Sequence, residues 1–295
     1  MFDSIPSTPA FQIGTIPTRY SLHGKKDGPL IVFCNGIGAS RTAWDDLLSI
    51  LSAQYTCLIW AYDGTQASPT SDLTIKSQAS ILCGVLEKID KSPFVLIGWS
   101  MGVQVALQTA HMHHTPPSGL ILLNGASSHP TSDVLNQKWL WPIIHPLLER
   151  LQNSGSWLKR IGYEAQASPL FLKSFTQLFI STRCLSPELD RDAFIALLKL
   201  WLSVDLRHIA RQLLLLDQSN NTDHANAFRG QTLIIAGATD PLVALHRTEE
   251  LAQCLNNSEL IVLNRSTHFT LMEQAQKLQK IVPAFLKKIE LEKPL

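Results

Sequence analysis

The sequence lacks the features that mark disulfide-stabilised, zinc-binding and membrane-spanning proteins. Its five cysteines are odd in number, lie far apart and show no C-x-x-C spacing, so they predict neither disulfides nor a zinc or redox pair. No apolar run approaches the ~20 residues that a membrane-spanning helix needs. Residues 1–9 show no basic patch followed by an apolar core, so we expect no secretory signal. These absences favour a cytoplasmic protein with reduced cysteines.

The chain also lacks an excess of charge of either sign. Lys and Arg together number 25 and Asp and Glu number 24, which gives a net charge of +1 and predicts no binding to nucleic acid or to an anionic membrane. With 45% hydrophobic residues, a chain of 295 residues can bury a large core. The composition therefore favours a globular protein with a small-molecule partner, and it leaves the oligomeric state open.

The most informative stretch that is present is a Gly-x-Ser-x-Gly pattern around Ser100. The apolar run Phe94–Ile97 precedes it and a helical pattern follows, which predicts a sharp strand-to-helix turn with the serine at its tip. Backbone at such a turn is strained, so the residues two before and two after must be nearly without side chain, as Gly98 and Gly102 are. The alternative is a tight turn whose serine only caps backbone. As a nucleophile, Ser100 would use the Met101 N–H as one oxyanion donor.

Strand-like and helix-like patterns alternate on both sides of this turn. Apolar strand patterns cover 30–34, 56–61, 120–123, 232–236 and 260–263, and helical patterns cover 42–52, 74–89, 242–255 and 270–291. This order indicates an α/β fold, a parallel sheet with crossover helices, with two short antiparallel edge strands between residues 11 and 23. Between 126 and 229 no strand pattern is seen. The sequence therefore predicts a core domain from 1–125 and 230–295 and an all-helical lid from 126–229.

Two residues could activate the serine. Asp240 follows the strand pattern 232–236 and His268 follows 260–263, so both lie at the carboxyl ends of parallel strands, the sheet edge where Ser100 is presented. A serine hydroxyl needs a base to take its proton and an acid to orient that base. Alternatively, an aspartate before proline forms a turn, and a loop histidine is simply solvated. The chain order serine, acid, histidine favours a catalytic triad.

These motifs resemble those of the alpha/beta-hydrolase family over about residues 10–125 and 230–291. The resemblance implies an eight-stranded, mostly parallel sheet, a lid after the sixth strand, and the triad Ser100, Asp240 and His268. The sequence Asn-Gly-Ile-Gly from Asn35 is similar to the family's His-Gly oxyanion turn, which implies the Ile37 N–H as the second oxyanion donor.

The sequence departs from the family's pattern at three places. Asn35 replaces the usual histidine of the oxyanion turn, so the sequence does not predict which contacts stabilise this turn. Val103 stands where many members have a second glycine, and the loop at 63–66 is only loosely similar to the family's Arg-Gly-x-Gly loop. The change at Asn35 leaves the backbone donor intact, and neither of the other two departures touches the expected chemistry directly.

No metal or organic cofactor is expected, because the chemistry of the triad needs none. His111, His113 and His114 have a spacing that spreads them over different faces of a helix, unlike metal ligands. Most large apolar residues of the predicted lid should form packing core. The remainder would line a pocket for a hydrophobic acyl or aromatic group, and the candidates are Trp139, Trp141, Phe175 and Phe269.

The sequence leads to the hypothesis of a serine hydrolase that cleaves a hydrophobic carboxylic ester or thioester through an acyl-enzyme. Carbon–carbon bond hydrolysis and acyl transfer can use the same triad and remain alternatives. From a different class, a small-ligand receptor could keep a vestigial triad. Epoxide and haloalkane hydrolysis are disfavoured, since family members with those activities use aspartate as the nucleophile and position 100 is serine.

Overall fold

The computed structural model describes residues 11–13, 16–62, 72–155 and 157–289, and its centre is a single eight-stranded sheet. The strands are β1 Phe11–Ile13, β2 Ile16–Gly24, β3 Leu30–Cys34, β4 Thr56–Tyr62, β5 Phe94–Trp99, β6 Gly119–Leu123, β7 Gln231–Gly237 and β8 Ser258–Leu263. Their order across the sheet is β1-β2-β4-β3-β5-β6-β7-β8. Only β1 with β2 and β2 with β4 pair antiparallel. The predicted eight-stranded, mostly parallel α/β sheet is confirmed.

Helices cover both faces of this sheet. Those that connect or follow its strands are α1 Asp45–Leu51, α2 Ile75–Ile89, α3 Met101–Met112, α10 Leu245–Cys254, α11 Thr270–Glu273 and α12 Ala275–Lys288, and a 3₁₀ turn, Arg41–Trp44, precedes α1. The helix predicted over 270–291 is thus broken. Gln274, with φ −133°, leaves helical geometry between α11 and α12, and residues from 290 onward lie outside the described part.

Six α-helices are described between β6 and β7, where the sequence shows no strand pattern. They are α4 Trp141–Gln152, α5 Trp157–Gln166, α6 Pro169–Ser181, α7 Arg191–Ser203, α8 Leu206–Asp217 and α9 Thr222–Ala227. Helices α6 and α7 contribute buried residues, among them Leu172, Phe194 and Leu197, to the same hydrophobic cluster as Phe33 and Trp99 of the sheet. By contrast, no residue of α4 is buried.

The central strands present alternate side chains to two buried faces. In β5, Val95 and Ile97 belong to one hydrophobic cluster and Phe94 and Leu96 to the other, so both faces are covered, as expected for a parallel sheet with helices on each side. The strands β5 to β8 run parallel and therefore end at one edge. The loops that carry the candidate residues follow these ends.

Two further sequence expectations concern the loop at 63–66 and membrane-spanning helices. The loop at 63–66, compared above with a family motif, lies outside the described residues. Within the described ranges, no helix is long and apolar enough to cross a bilayer.

Candidate active site

Ser100 lies at a strained turn between β5 and α3. Its backbone has φ 58° and ψ −121°, and its N–H donates to the Leu123 carbonyl at 2.9 Å. A Cβ added at Gly98 would lie 2.5 Å from the Gly102 carbonyl oxygen, and one added at Gly102 would lie 2.0 Å from that of Cys34. Real Cβ atoms do not approach so closely. The predicted need for glycine on both sides of the serine is confirmed.

The structure brings the three predicted triad residues into one hydrogen-bonded chain. His268 Nε2 lies 2.8 Å from Ser100 Oγ, and His268 Nδ1 lies 2.8 Å from Asp240 Oδ2. Asp240 and His268 are buried, whereas Ser100 is half-buried and borders a cavity. Three residues that are up to 168 positions apart therefore meet at one edge of the sheet.

Donors surround the carboxylate of Asp240. Its Oδ1 accepts from the backbone N–H groups of Leu242 at 2.8 Å and Val243 at 2.9 Å. Its Oδ2 accepts from Asn124 Nδ2 at 3.0 Å in addition to facing His268. These hydrogen bonds fix the orientation of the carboxylate toward the imidazole.

Asn124 is a site residue that the sequence reasoning missed. Its Nδ2 bridges Asp240 Oδ2 and the Thr267 carbonyl, both at 3.0 Å, and its Oδ1 accepts from Thr270 Oγ1 at 2.5 Å. It directly follows β6 with φ 48°, a left-handed conformation that asparagine tolerates better than most residues. Its place after a buried strand at the active edge was the signal that could have identified it.

Glu273 is a second missed residue, and it holds the loop that carries His268. This buried carboxylate accepts from Thr267 N at 2.5 Å, Thr267 Oγ1 at 2.6 Å and Ser266 Oγ at 3.0 Å. It also accepts from Ser186 N, between α6 and α7, at 2.9 Å. A glutamate within a C-terminal helical pattern is expected to be solvent-exposed. The neighbouring sequence therefore gave no signal that Glu273 would be buried against the His268 loop.

The turn after β3 is braced by Asn35, which answers the question left open by the missing histidine. Asn35 Oδ1 accepts from Trp44 Nε1 at 2.6 Å, and its Nδ2 donates to the Trp60 carbonyl at 2.9 Å. The following Gly36 lies against the nucleophile, because a Cβ added there would be 3.3 Å from Ser100 Cβ. The side chain at position 35 thus serves as a two-sided internal brace.

Two backbone N–H groups near Ser100 are unused. Among the described residues, neither the Ile37 nor the Met101 N–H has a hydrogen-bond acceptor. Met101 N–H is the first of α3, where intrahelical acceptors are lacking and the helix dipole is positive. Both groups can therefore serve an anionic oxygen beside the serine.

An apolar cavity of about 380 Å³ opens over Ser100 and His268. Its floor includes Gly36, Ile37 and Trp99. Its walls include residues of the helical segment 126–229 between β6 and β7, here called the insertion: Trp141, Ile144, Leu148, Leu198, Trp201, Leu202, Leu206, Ile209, Leu213 and Leu216. The lining residues described include no Lys, Arg, Asp or Glu. The cavity therefore suits an uncharged, hydrophobic group.

Only one of the four aromatic residues predicted for the pocket lines this cavity. Trp141 does so, whereas Trp139 is 61% exposed and donates its indole N–H to Gln137. Phe175 stacks on Phe179, with ring centroids 4.2 Å apart, against the hydrophobic core.

Phe269 is the fourth of these residues and is also absent from the cavity wall. It is buried, with its ring edge-on to Phe194 and tilted against Trp201. Helical periodicity and size could not separate side chains that face the cavity from those that pack elsewhere.

Cys34 does not offer an alternative nucleophile. It is fully buried in β3, and burial raises the pKa of its thiol to about 12, so the reactive thiolate is strongly disfavoured. Cys34 is therefore a structural residue of the core. Among the residues that the structure describes, no group of three or more His, Cys, Asp or Glu side chains could hold a metal ion.

Comparison with curated proteins places relatives along nearly the whole chain. A protein of Pseudomonas syringae named "Putative carbamate hydrolase RutD" is 27% identical over 265 residues, which cover 88% of this chain and 94% of the relative. A protein of the same name from Stutzerimonas stutzeri is 27% identical over 270 residues, with 90% and 94% covered.

Solved structures share the fold. A thermophilic esterase from Thermogutta terrifontis has a TM-score of 0.70 and 19% identity, with 96% of this chain and 98% of the esterase covered. The enol-lactonase from Burkholderia xenovorans has a TM-score of 0.72 and 18% identity, with 96% and 100% covered. The family model described as "Alpha/beta hydrolase family" matches residues 31–279. With strand order, serine turn and this match in agreement, the chain belongs to the alpha/beta hydrolase family.

Proposed function

We propose that the protein is a serine hydrolase that cleaves a carboxylic ester or thioester with a hydrophobic acyl or aromatic part. The observation that carries the proposal is the chain of two 2.8 Å contacts from Asp240 through His268 to Ser100, which ends at the floor of an apolar cavity. This is the arrangement that makes a serine hydroxyl a nucleophile: a base within reach of the hydroxyl, and an acid that orients the base.

The reaction proceeds in two halves. His268 Nε2 takes the proton as Ser100 Oγ attacks the carbonyl, Asp240 stabilises the imidazolium, and the Ile37 and Met101 N–H groups bind the oxyanion. His268 then protonates the leaving alcohol or thiol, which leaves an acyl-serine ester. In the second half His268 takes a proton from water, the hydroxide adds to the acyl carbonyl, and the carboxylic acid leaves as Ser100 regains its proton.

The shape and chemistry of the cavity support the hydrophobic substrate. Apart from Ser100 and His268, the hydroxyl of Thr131 is a polar group on its wall, and that hydroxyl already donates to Asp217 Oδ1 at 2.5 Å. An apolar acyl chain gains free energy in such a space in proportion to the area it buries. We assign the remaining space under the insertion to the acyl or aromatic group.

Carbamate hydrolysis is the second candidate, because the relatives are named for that activity. The same attack on a carbonyl carbon would serve a carbamate. A small, polar carbamate would, however, bury little apolar area in this cavity and would find no cationic side chain among the described lining residues. The cavity therefore favours the larger apolar ester.

We also propose that residues 126–229 form a lid over a core made of residues 1–125 and 230–295. Support comes from the six α-helices described between β6 and β7, three of which, α4, α7 and α8, contribute residues to the cavity wall. The five cysteines are all free, which supports a cytoplasmic location, where thiols stay reduced.

The test is turnover of nitrophenyl esters of increasing acyl length, with a nitrophenyl carbamate in the same panel and fluorophosphonate labelling of the purified protein. Ser100→Ala should lower turnover by about 10⁴-fold or more and abolish labelling. Ser49→Ala, an exposed hydroxyl deletion on α1, is the matched control and should match the parent. A Ser100→Ala protein as active as the parent would refute the proposal.

Two further outcomes separate the alternatives. Turnover of the carbamate above that of every ester would favour the second candidate. A parent that is stabilised against heat by apolar ligands but turns over no substrate and resists labelling would favour a receptor.

A further inference from the structure

Trp201 of α7 reaches from the helical insertion to the oxyanion turn, residues 35–38. Its indole Nε1 donates a hydrogen bond to the Ile37 carbonyl oxygen at 2.9 Å. Its ring covers Gly38, because a Cβ added at that position would lie only 2.5 Å from Trp201 Cδ1. Gly38 also has φ +65°, a conformation that side chains disfavour. Glycine thus satisfies both the backbone and the tryptophan at this position.

Ile37 links this contact to the chemistry. Its N–H is the proposed oxyanion donor, and its carbonyl is the group that Trp201 holds. A hydrogen bond to the carbonyl restrains rotation on one side of the Ile37 Cα, and the ring contact restrains the next residue. Oxyanion donors are effective because they are held in place before charge develops. Misplacement by about 1 Å can cost on the order of 10²-fold in rate.

The two ends of the oxyanion turn are held by different parts of the molecule. Trp44 and Trp60 hold Asn35 from the core, whereas Trp201 holds Ile37 from the insertion. The Trp201 ring centroid also lies 5.9 Å from that of Phe269, the neighbour of His268. One side chain of the insertion therefore contacts both the oxyanion turn and the residue beside the base.

We propose that Trp201 is a positioning residue, so that the oxyanion turn takes its working geometry only when α7 is seated on the core. This inference rests on the proposed serine hydrolase function. It assigns to α7 a role beyond forming the cavity wall: the helix sets the position of a transition-state donor.

Trp201→Phe tests this directly, because it keeps an aromatic ring over Gly38 and removes the N–H donor. We expect kcat on the best ester to fall roughly 10- to 100-fold, with KM changed less than about 3-fold. Affinity for a trifluoromethyl ketone of the same chain length, whose adduct carries an oxyanion, should fall in parallel with kcat. Affinity for 1-octanol, which forms no oxyanion, should stay near the parental value.

Trp157→Phe is the matched control, because Trp157 is on the same insertion, is 59% exposed and lies outside the cavity wall. It should keep parental kcat and ketone affinity. If Trp201→Phe misfolds, Trp201→Leu removes the same indole donor while it keeps an apolar side chain, and it should show the same fall in kcat and ketone affinity with little change in KM and octanol affinity.

The possible outcomes distinguish failure of this inference from failure of the proposed function. Parental kcat and ketone affinity in the folded Trp201 variants would overturn this inference while the proposed function stands. A rise in KM and loss of octanol affinity without a fall in kcat would overturn it too, because Trp201 would then only bind substrate. A parent without turnover or labelling would overturn the proposed function, and this inference with it.

Discussion

At the scale of single residues, the hydrogen-bond donors around Asp240 require a carboxylate at this position. Each of its oxygens faces two donors: two backbone N–H groups at Oδ1, and Asn124 Nδ2 with His268 Nδ1 at Oδ2. An amide in its place has only one accepting oxygen, so its NH₂ must face groups that also donate. The site therefore discriminates between a carboxylate and its isosteric amide.

We predict that Asp240→Asn lowers kcat by about 10⁴-fold, because the amide stabilises neither the required tautomer nor the imidazolium of His268. The free energy of unfolding should also fall by roughly 1–3 kcal/mol, since buried donors lose an acceptor. Urea unfolding and ester kinetics measure the two effects. Asp223→Asn, the same change at an exposed position of α9, should leave both near the parental values. An Asp240→Asn enzyme with parental kcat would contradict this reading.

Site residues could be predicted where a motif or a neighbouring strand pattern marks them, and they were missed where only distant contacts define their role. Ser100 has a sequence motif, and Asp240 and His268 follow buried strands that end at one edge, so their meeting could be predicted from strand order. Trp201 contacts a partner 164 positions away, and Glu273 joins the His268 loop to Ser186, which is 87 positions away. Such contacts depend on how helices pack over the edge, which hydrophobic periodicity does not specify.

At the scale of elements, helix α4 has two apolar faces that look alike in sequence but lie in different environments. Ile144 and Leu148 line the cavity, whereas Ile143 is 54% and Leu147 is 56% exposed. Adjacent leucines of one helix thus meet opposite environments. This pair allows a change in cavity volume to be compared with the same change on the outer face.

We predict that Leu148→Trp shortens the preferred acyl chain, because the larger side chain occupies space that the chain would fill. In a nitrophenyl ester series, kcat/KM should fall most for the longest chains, by about 10-fold or more, and least for acetate. Leu147→Trp should leave the chain-length profile unchanged. Equal profiles for the two variants would show that the acyl group does not lie beneath α4.

Strands were easier to predict than helices for a physical reason. A buried parallel strand such as Leu30–Cys34 is a continuous apolar run, and its predicted bounds match those observed. The insertion helices are apolar on several sides, because one stripe packs on the core, another faces the cavity and a third is exposed. Periodicity reveals that such helices exist, but it cannot assign their faces.

At the scale of the whole molecule, the insertion is not one uniform layer over the core. Phe194 and Leu197 of α7 are each 1% exposed and share a hydrophobic cluster with Phe33 and Trp99 of the sheet. Helix α4 has no buried residue and packs chiefly on α8. Within residues 126–229, burial therefore distinguishes helix α7, which shares the core cluster, from helix α4, which lines the cavity without a buried residue.

We therefore predict that α7 unfolds with the sheet, whereas α4 opens independently. Local stability follows buried apolar contact, so amides of 194–198 should exchange hydrogen only through global unfolding, with the same urea dependence as those of β5. Amides of 147–151 in α4 should exchange faster, with little urea dependence. Native-state hydrogen exchange with mass spectrometry separates these segments. Joint exchange of α4 and α7 would show the insertion to be one cooperative unit, whereas separate exchange would leave Trp201 fixed at the oxyanion turn while α4 opens to admit substrate.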